Sequence, residues 1–269
     1  MSTSQGSWAA FSAGNLITRF LMAALTLCLL LIVPINSSAS SDKRKGTARN
    51  KRSRTLTRAQ LRQAEEQLSQ LGYGAGRVDG VIDDDARNAL IAFQKWEGRK
   101  VTGGLSRADF DAIMSAAAPQ IRDTGYKHVE VDLDRQVLLL IDDGGLLTRV
   151  LPISSGSNKQ YKEKSMSGLA YTPKGRFRVE SKIAGWRKSP LGLLYYPNYF
   201  SGGLAIHGNP SVPHNPQSHG CIRVPMSAAR EVSSQLPVGT IVLIYDKQSF
   251  VSAKDWVEAD KLKQEATIR

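Results

Sequence analysis

At Tyr126 the hydrophobic pattern of this chain changes period, and nothing else in the sequence constrains the fold as strongly. Before that point, apolar residues recur every three or four positions. After it they alternate with polar residues or run together in short blocks. Two periods require two kinds of packed layer. The expected architecture is therefore a multidomain α + β chain. A small three-helix unit over 56–118 precedes a mainly-β sandwich or barrel over 126–246.

In the first unit Thr57 and Gln60 have capping-box spacing. Leu61, Ala64, Leu68 and Leu71 follow at helical spacing, and Gly72 ends the helix. A second helix starts in "DDDA", where acidic residues suit the positive end of the helix dipole, and presents Ala86, Ala89, Leu90 and Phe93 on one face. The third starts at Ser106 with Asp109 as its capping partner, and Leu105 is placed to staple against Phe110.

In the second unit "HVEVDLD" alternates, "QVLLLID" follows, and "DDGG" signals a hairpin into "LLTRVLPIS". "TPKGRFRVE" turns into another strand, "GLAIHG" carries a strand up to His207, and "GTIVLIYD" closes the unit. Ile183 to Gly202 shows no period and is expected to be a long functional loop. The linker between the units, 118–127, is short, so they are expected to be close neighbours. On this reading the helical unit is a tether that raises local concentration, and its removal leaves turnover of a small soluble substrate nearly unchanged. Residues 247–269 are expected to form a helical C-terminal tail.

The N-terminus points to export. A sixteen-residue apolar run, Phe20–Ile35, follows Arg19 and precedes the small residues Ser37 and Ala39, so 1–40 reads as a signal peptide or membrane anchor. Leu27 before Cys28 argues against lipid attachment at that cysteine. Residues 41–55 hold seven Lys/Arg against one Asp and read as a disordered basic linker. A positive segment after an apolar run favours the cytoplasmic side, which opposes export. The net charge of +12 comes without a recognition helix or aromatic stacking motif, so nucleic acid is not an expected partner. The expected location is the periplasm or cell wall, with membrane contact only through the apolar segment if it is uncleaved.

With Cys28 removed in a signal, Cys221 is the sole cysteine, and no internal disulfide can form. It lies in "IHGNPSVPHNPQSHGCIRVP", which holds three histidines, a cysteine and an arginine in 20 residues. Three chemistries fit. Cys221 can serve as a nucleophile with His207 as base, the amides around His219, Gly220 and Cys221 as an oxyanion hole, and Arg223 as a carboxylate clamp. His207, His214, His219 and Cys221 can also supply four zinc ligands, although no zinc spacing signature matches. A structural cysteine among hydrogen-bonded histidines is the third.

Two resemblances add to this reading. "LGYGAGRVDGVIDDDARNALIAFQK" resembles the peptidoglycan-binding domain family through Leu71-Gly72-Tyr73, Val78-Asp79-Gly80 and Phe93-Gln94, with Ala86 where members often have threonine. It implies a wall-binding surface near Asp79 and Gly80. "IHG", "SHGCIRVP" and "TPKGRFRV" resemble the L,D-transpeptidase (YkuD-type) catalytic domain over Lys127 to Asp246. That resemblance implies Cys221 as nucleophile, His207 as proton donor and acceptor, His219 and Gly220 as motif and oxyanion positions, and Arg223, Ser218 and Gly208 in substrate binding. His214 matches no family role. The implied reaction takes donor and acceptor tetrapeptide stems of peptidoglycan and needs no cofactor and no metal, and a monomer is expected. A zinc-dependent peptidoglycan peptidase and a non-catalytic wall-binding protein are the alternatives.

Overall fold

Thr57 opens the first helix of the computed structural model, which describes residues 55–163 and 166–249. Helix α1, Arg58–Gln70, carries the complete capping box between Thr57 and Gln60. Helix α2, Asp84–Trp96, is capped by the Asp83 carboxylate, and α3, Arg107–Ser115, by a second capping box between Ser106 and Asp109. All three starts agree with the sequence. Ala64, Leu68, Ala86, Ala89, Leu90, Phe93, Phe110 and Ile113 pack into one cluster between the helices.

The β unit contains two five-stranded sheets. The first runs in the order β3 (Leu147–Pro152), β2 (Val137–Ile141), β1 (His128–Asp132), β12 (Ile241–Tyr245), β6 (Gly175–Arg178). The second runs β11 (Ile222–Pro225), β10 (Leu204–Asn209), β9 (Gly192–Ser201), β7 (Ser181–Lys182), with β8 (Trp186–Ser189) also paired to β9. A separate hairpin joins β4 (Gln160–Glu163) to β5 (Met166–Leu169). Helix α4, Met226–Gln235, packs on β9 and β10. The "DDGG" turn closes as expected, with the Gly145 amide donating to the Asp142 carbonyl and a φ of +77° at Gly145.

Four elements depart from the sequence reading. The segment expected as a loop over 183–202 holds the β8–β9 hairpin. Strand β8 is largely exposed, whereas β9 is buried or half-buried at eight of its ten positions, so neither strand carries a regular apolar–polar alternation. The β4–β5 hairpin and α4 gave no recognised signal. Strand β1 alternates in sequence but is buried at every position. Val129 and Val131 enter the inter-sheet core, while Glu130 on the other face accepts from the amides of Arg122 and Asp123 and from the Tyr245 hydroxyl.

The most consequential departure concerns the helical unit. Strand β2 faces two ways: Leu138 and Leu140 enter the inter-sheet core, and Val137, Leu139 and Ile141 join Val150 in the cluster formed by the helices. The uninterrupted apolar run "VLLLI" is therefore a strand covered on both sides. Polar contacts reinforce the joint. The Val150 amide donates to Gly72, the Arg135 guanidinium stacks on Trp96, and the buried Lys95 ammonium reaches the carbonyls of Gln136 and Ile153. Two neighbours on a tether were expected, but the helices and the first sheet share a core. The N-terminal calls over 1–40 and 41–54 and the tail from 250 to 269 lie outside the described residues. No helix among those described is long and apolar enough to cross a membrane.

Candidate active site

Strands β10 and β11 set the site by their register. They run parallel, pairing Ile206 with Ile222, His207 with Arg223 and Gly208 with Val224. Ile206, Ile222 and Val224 point into the inter-sheet core. Side chains alternate along a strand, so His207 and Arg223 point the opposite way, and Cys221 sits in the bend just before β11. His207, Cys221 and Arg223 line one cleft of about 370 Å³.

His207 is 4% exposed, and its Nδ1 lies 2.9 Å from the Gly208 carbonyl oxygen. A carbonyl only accepts, so Nδ1 carries the proton and Nε2 keeps a free lone pair. Burial, helped by the Arg223 charge, brings the imidazole pKa down to about 4. Burial pushes the Cys221 thiol up, against the opposing pull of the Ala205 amide and the Arg223 guanidinium. The site thus favours a neutral imidazole beside a neutral thiol. No carboxylate pairs with the Arg223 guanidinium among the described residues, and it lines the cleft with its charge available.

The turn before Cys221 is held by bonds between backbone groups and two side-chain hydroxyls. Gly220 has a φ of +133°, and a side chain there would meet the Tyr171 carbonyl oxygen at 2.7 Å. Its amide donates to Ser218 Oγ at 3.0 Å, and its carbonyl accepts from Thr172 Oγ1 at 2.7 Å. Ser218 Oγ in turn donates to the Cys221 carbonyl. The Gly220 amide is therefore engaged within the turn that Gly220 shapes. Ser218, only 2% exposed, exchanges backbone bonds with Ser155 and Ser157. The histidine next to Gly220 faces the β4–β5 hairpin: His219 Nε2 lies 3.0 Å from Glu163 Oε1, and the ring packs edge-on to Tyr161.

Other expected site residues fall elsewhere. Gly208 does not line the cleft. A side chain there would meet Ala229 Cβ of α4 at 2.5 Å, so this glycine lets the helix approach β10. His214 lines a different cleft, beside Lys95 and Pro216, so the four candidate zinc ligands are not assembled in one place. Among the described residues no group of three or more His, Cys, Asp or Glu is arranged to hold a metal ion. Asp79 and Gly80 form a structural turn. Both amides donate to buried Glu65, and Asp79 Oδ1 accepts from Val81. Residues that the sequence did not single out complete the cleft: Tyr161 and Met166 from the β4–β5 hairpin, and Leu191, Leu193 and Tyr199 from the β8–β9 region. Thr172 belongs to the quoted "TPKG" stretch, which carried a motif signal without revealing its bond to Gly220.

Comparison with known proteins places both units. Residues 126–244 match the L,D-transpeptidase catalytic domain model, and 57–113 match the peptidoglycan binding domain model. An L,D-transpeptidase crystal structure from Xylanimonas cellulosilytica is 36% identical with a TM-score of 0.65, covering 69% of this chain and 92% of that one. An L,D-transpeptidase from Stackebrandtia nassauensis is 23% identical with a TM-score of 0.41, covering 69% of this chain and 90% of that one. A fused Zn-dependent amidase/peptidase/peptidoglycan-binding-domain protein from Clostridium acetobutylicum is 19% identical with a TM-score of 0.36, covering 70% of this chain and 95% of that one. The last two similarities are too low to carry an argument. No curated protein sequence matches the chain.

Proposed function

The chain belongs to the L,D-transpeptidase family, and we propose that Cys221 and His207 carry its reaction on peptidoglycan stem peptides. One observation supports this most directly. His207, with Nε2 unprotonated, lines the same cleft as Cys221, which directly precedes the strand paired in parallel with that of His207.

The chemistry follows from the two neutral partners. Cys221 Sγ attacks the carbonyl carbon of the third, L-centred residue of a tetrapeptide stem, and its proton passes to His207 Nε2 as the S–C bond forms. The tetrahedral centre collapses, the C–N bond to the terminal D-alanine breaks, and His207 returns the proton to the leaving nitrogen. A thioester on Cys221 remains. An amine from a second stem attacks it to give a 3→3 cross-link and regenerates the thiol. Water in place of the amine gives L,D-carboxypeptidase activity, and a protein lysine gives attachment to the wall. No cofactor takes part in this scheme.

Arg223 is placed to hold a stem carboxylate. An unpaired guanidinium in a concave, partly buried site is a strong carboxylate partner because its donors form a planar fork. The apolar rim from Met166, Leu191 and Leu193 provides surface for the stem's aliphatic parts. The enzyme is proposed to act outside the cytoplasm, where its polymer lies, and as a monomer. The test is incubation of the protein with disaccharide-tetrapeptide, followed by mass spectrometry. Released D-alanine with cross-linked dimer, or with tripeptide, supports the reading. Unchanged substrate at an enzyme-to-substrate ratio near one contradicts it.

A further inference from the structure

We propose that Lys95, at the end of α2 in the helical unit, is a positioning residue for the catalytic turn, so the helical unit acts on active-site geometry as well as on location. The proposal rests on the cysteine-nucleophile reading above for its catalytic readout.

The argument starts from a buried charge. Lys95 is 6% exposed, and among the described residues it has no ion-pair partner. An apolar side chain of similar length would fill this joint without the cost of burying an ammonium. That cost shows in the lysine itself, whose pKa burial brings down to about 7. What the ammonium does there is specific. It donates to the Ile153 carbonyl at 2.7 Å and to the Gln136 carbonyl at 3.2 Å. These are the first links of a chain that leads to Cys221.

Gln136 occupies the turn between β1 and β2 with a φ of +55°, uncommon for a residue with a side chain. Its carbonyl also accepts from the Ile153 amide at 3.0 Å. Its side chain accepts from the Ser155 amide at 2.9 Å and donates to Ser155 Oγ at 2.8 Å. Lys95 and Gln136 together thus fix the stretch 153–155 at both its backbone and its side chains. This stretch cradles the catalytic turn. Ser154 exchanges two backbone bonds with Arg223, at 3.0 and 3.1 Å, and its hydroxyl donates to the Asn215 carbonyl. The Ser155 carbonyl accepts from the Ser218 amide at 2.9 Å. Arg223 and Ser218 flank Cys221 in sequence on either side. Every link from Lys95 to that flank is a hydrogen bond between buried or half-buried groups. A shift of the 153–155 backbone moves the nucleophile relative to His207, which sits on the neighbouring strand.

The test uses the purified full-length chain. Lys95→Met keeps the length and volume but removes the donors. It is expected to lower kcat on soluble tetrapeptide about ten-fold per folded enzyme while KM stays within about two-fold, because misplacement by a fraction of an ångström affects the transition state more than binding. Lys95→Arg, which restores donors at the joint, is expected to recover most of that loss. The rate of alkylation of Cys221 by iodoacetamide, mapped by mass spectrometry apart from Cys28, should change in parallel. Wild-type kcat in a folded Lys95→Met protein overturns the proposal. If Lys95→Met does not fold, Ser155→Ala, which cuts only the Gln136–Ser155 side-chain bond further along the chain, replaces it. A lowered kcat there supports the proposal, and an unchanged one overturns it. If the wild type releases no D-alanine, the reading of the reaction fails separately. Cys221 alkylation, which needs no substrate, then decides: a changed rate in the variant supports positioning by Lys95, and an unchanged rate overturns it.

Discussion

His207 Nδ1 donates to the Gly208 carbonyl at 2.9 Å, so the residue next to His207 fixes which ring nitrogen is free. If His207 is the base, as proposed, it is available over a wide pH range. Its pKa of about 4 lies below the ordinary histidine value, so the imidazole is neutral from about pH 5 upward. The acid limb of kcat/KM should fall near pH 4 and not near 6.5. The unfolded chain binds a proton at this site between those values and the folded chain does not. Stability from this group is therefore complete above about pH 6.5 and is lost as pH falls towards 4. A pH–rate profile together with melting temperatures at pH 7 and pH 5 checks both parts.

The thiol follows the opposite logic. Burial raises the Cys221 pKa, so Cys221 and His207 should not form a thiolate–imidazolium pair at rest. Alkylation of Cys221 by iodoacetamide should climb steadily through pH 7 to 9, without the plateau below neutrality that a preformed thiolate gives. Such a plateau would show that the charged pair exists.

Arg223 should act through the substrate's carboxylate. Hydrogen bonds to charged groups are worth about 1.5–3 kcal/mol, so Arg223→Ala is expected to lower kcat/KM about 10- to 100-fold. Arg223→Lys should recover only part, because an ammonium lacks the planar fork. Steady-state kinetics on the tetrapeptide and on its C-terminal amide distinguish the roles. The variant's loss should be much smaller for the amide.

Removing the helical unit should cost the fold. Deletion of 56–118 exposes Val137, Leu139, Ile141 and Val150, all within 2% of complete burial. At about 1.5–3 kcal/mol for each buried aliphatic side chain, the loss is roughly 6–12 kcal/mol. This is comparable with the whole stability of a typical domain. The truncated protein is expected to aggregate or melt below 37 °C, as judged by circular dichroism and size exclusion. A soluble, fully active truncation would show that the units are independent.

The legible parts of this molecule were those fixed by local rules. Capping at Thr57 and Ser106, the apolar faces of α1 and α2, and the Gly145 hairpin depend on residues a few positions apart, and the sequence shows them directly. The resemblance is concentrated around Cys221 and His207, and both line one cleft. Harder to see were features that depend on partners distant in sequence. "VLLLI" announces a buried strand but not that helices cover one face of it. Asp79 and Gly80 suggested a loop, but the sequence did not show that the Glu65 carboxylate on α1 holds both of their amides. Lys95 gave no signal, because a lysine late in a helix ordinarily faces solvent. The β8–β9 hairpin was obscured because β8 is largely exposed and β9 mostly buried or half-buried, so neither shows the alternation that identifies a strand.

The central claim is that Cys221 forms the covalent intermediate, and intact-mass spectrometry tests it most directly. Wild-type protein mixed with tetrapeptide and quenched in acid should gain the mass of the acyl tripeptide on the peptide containing Cys221, with one D-alanine released per adduct. Cys221→Ala should show neither the adduct nor D-alanine release while melting normally. D-alanine release by Cys221→Ala at the wild-type rate, or an adduct on any other residue, would contradict the account.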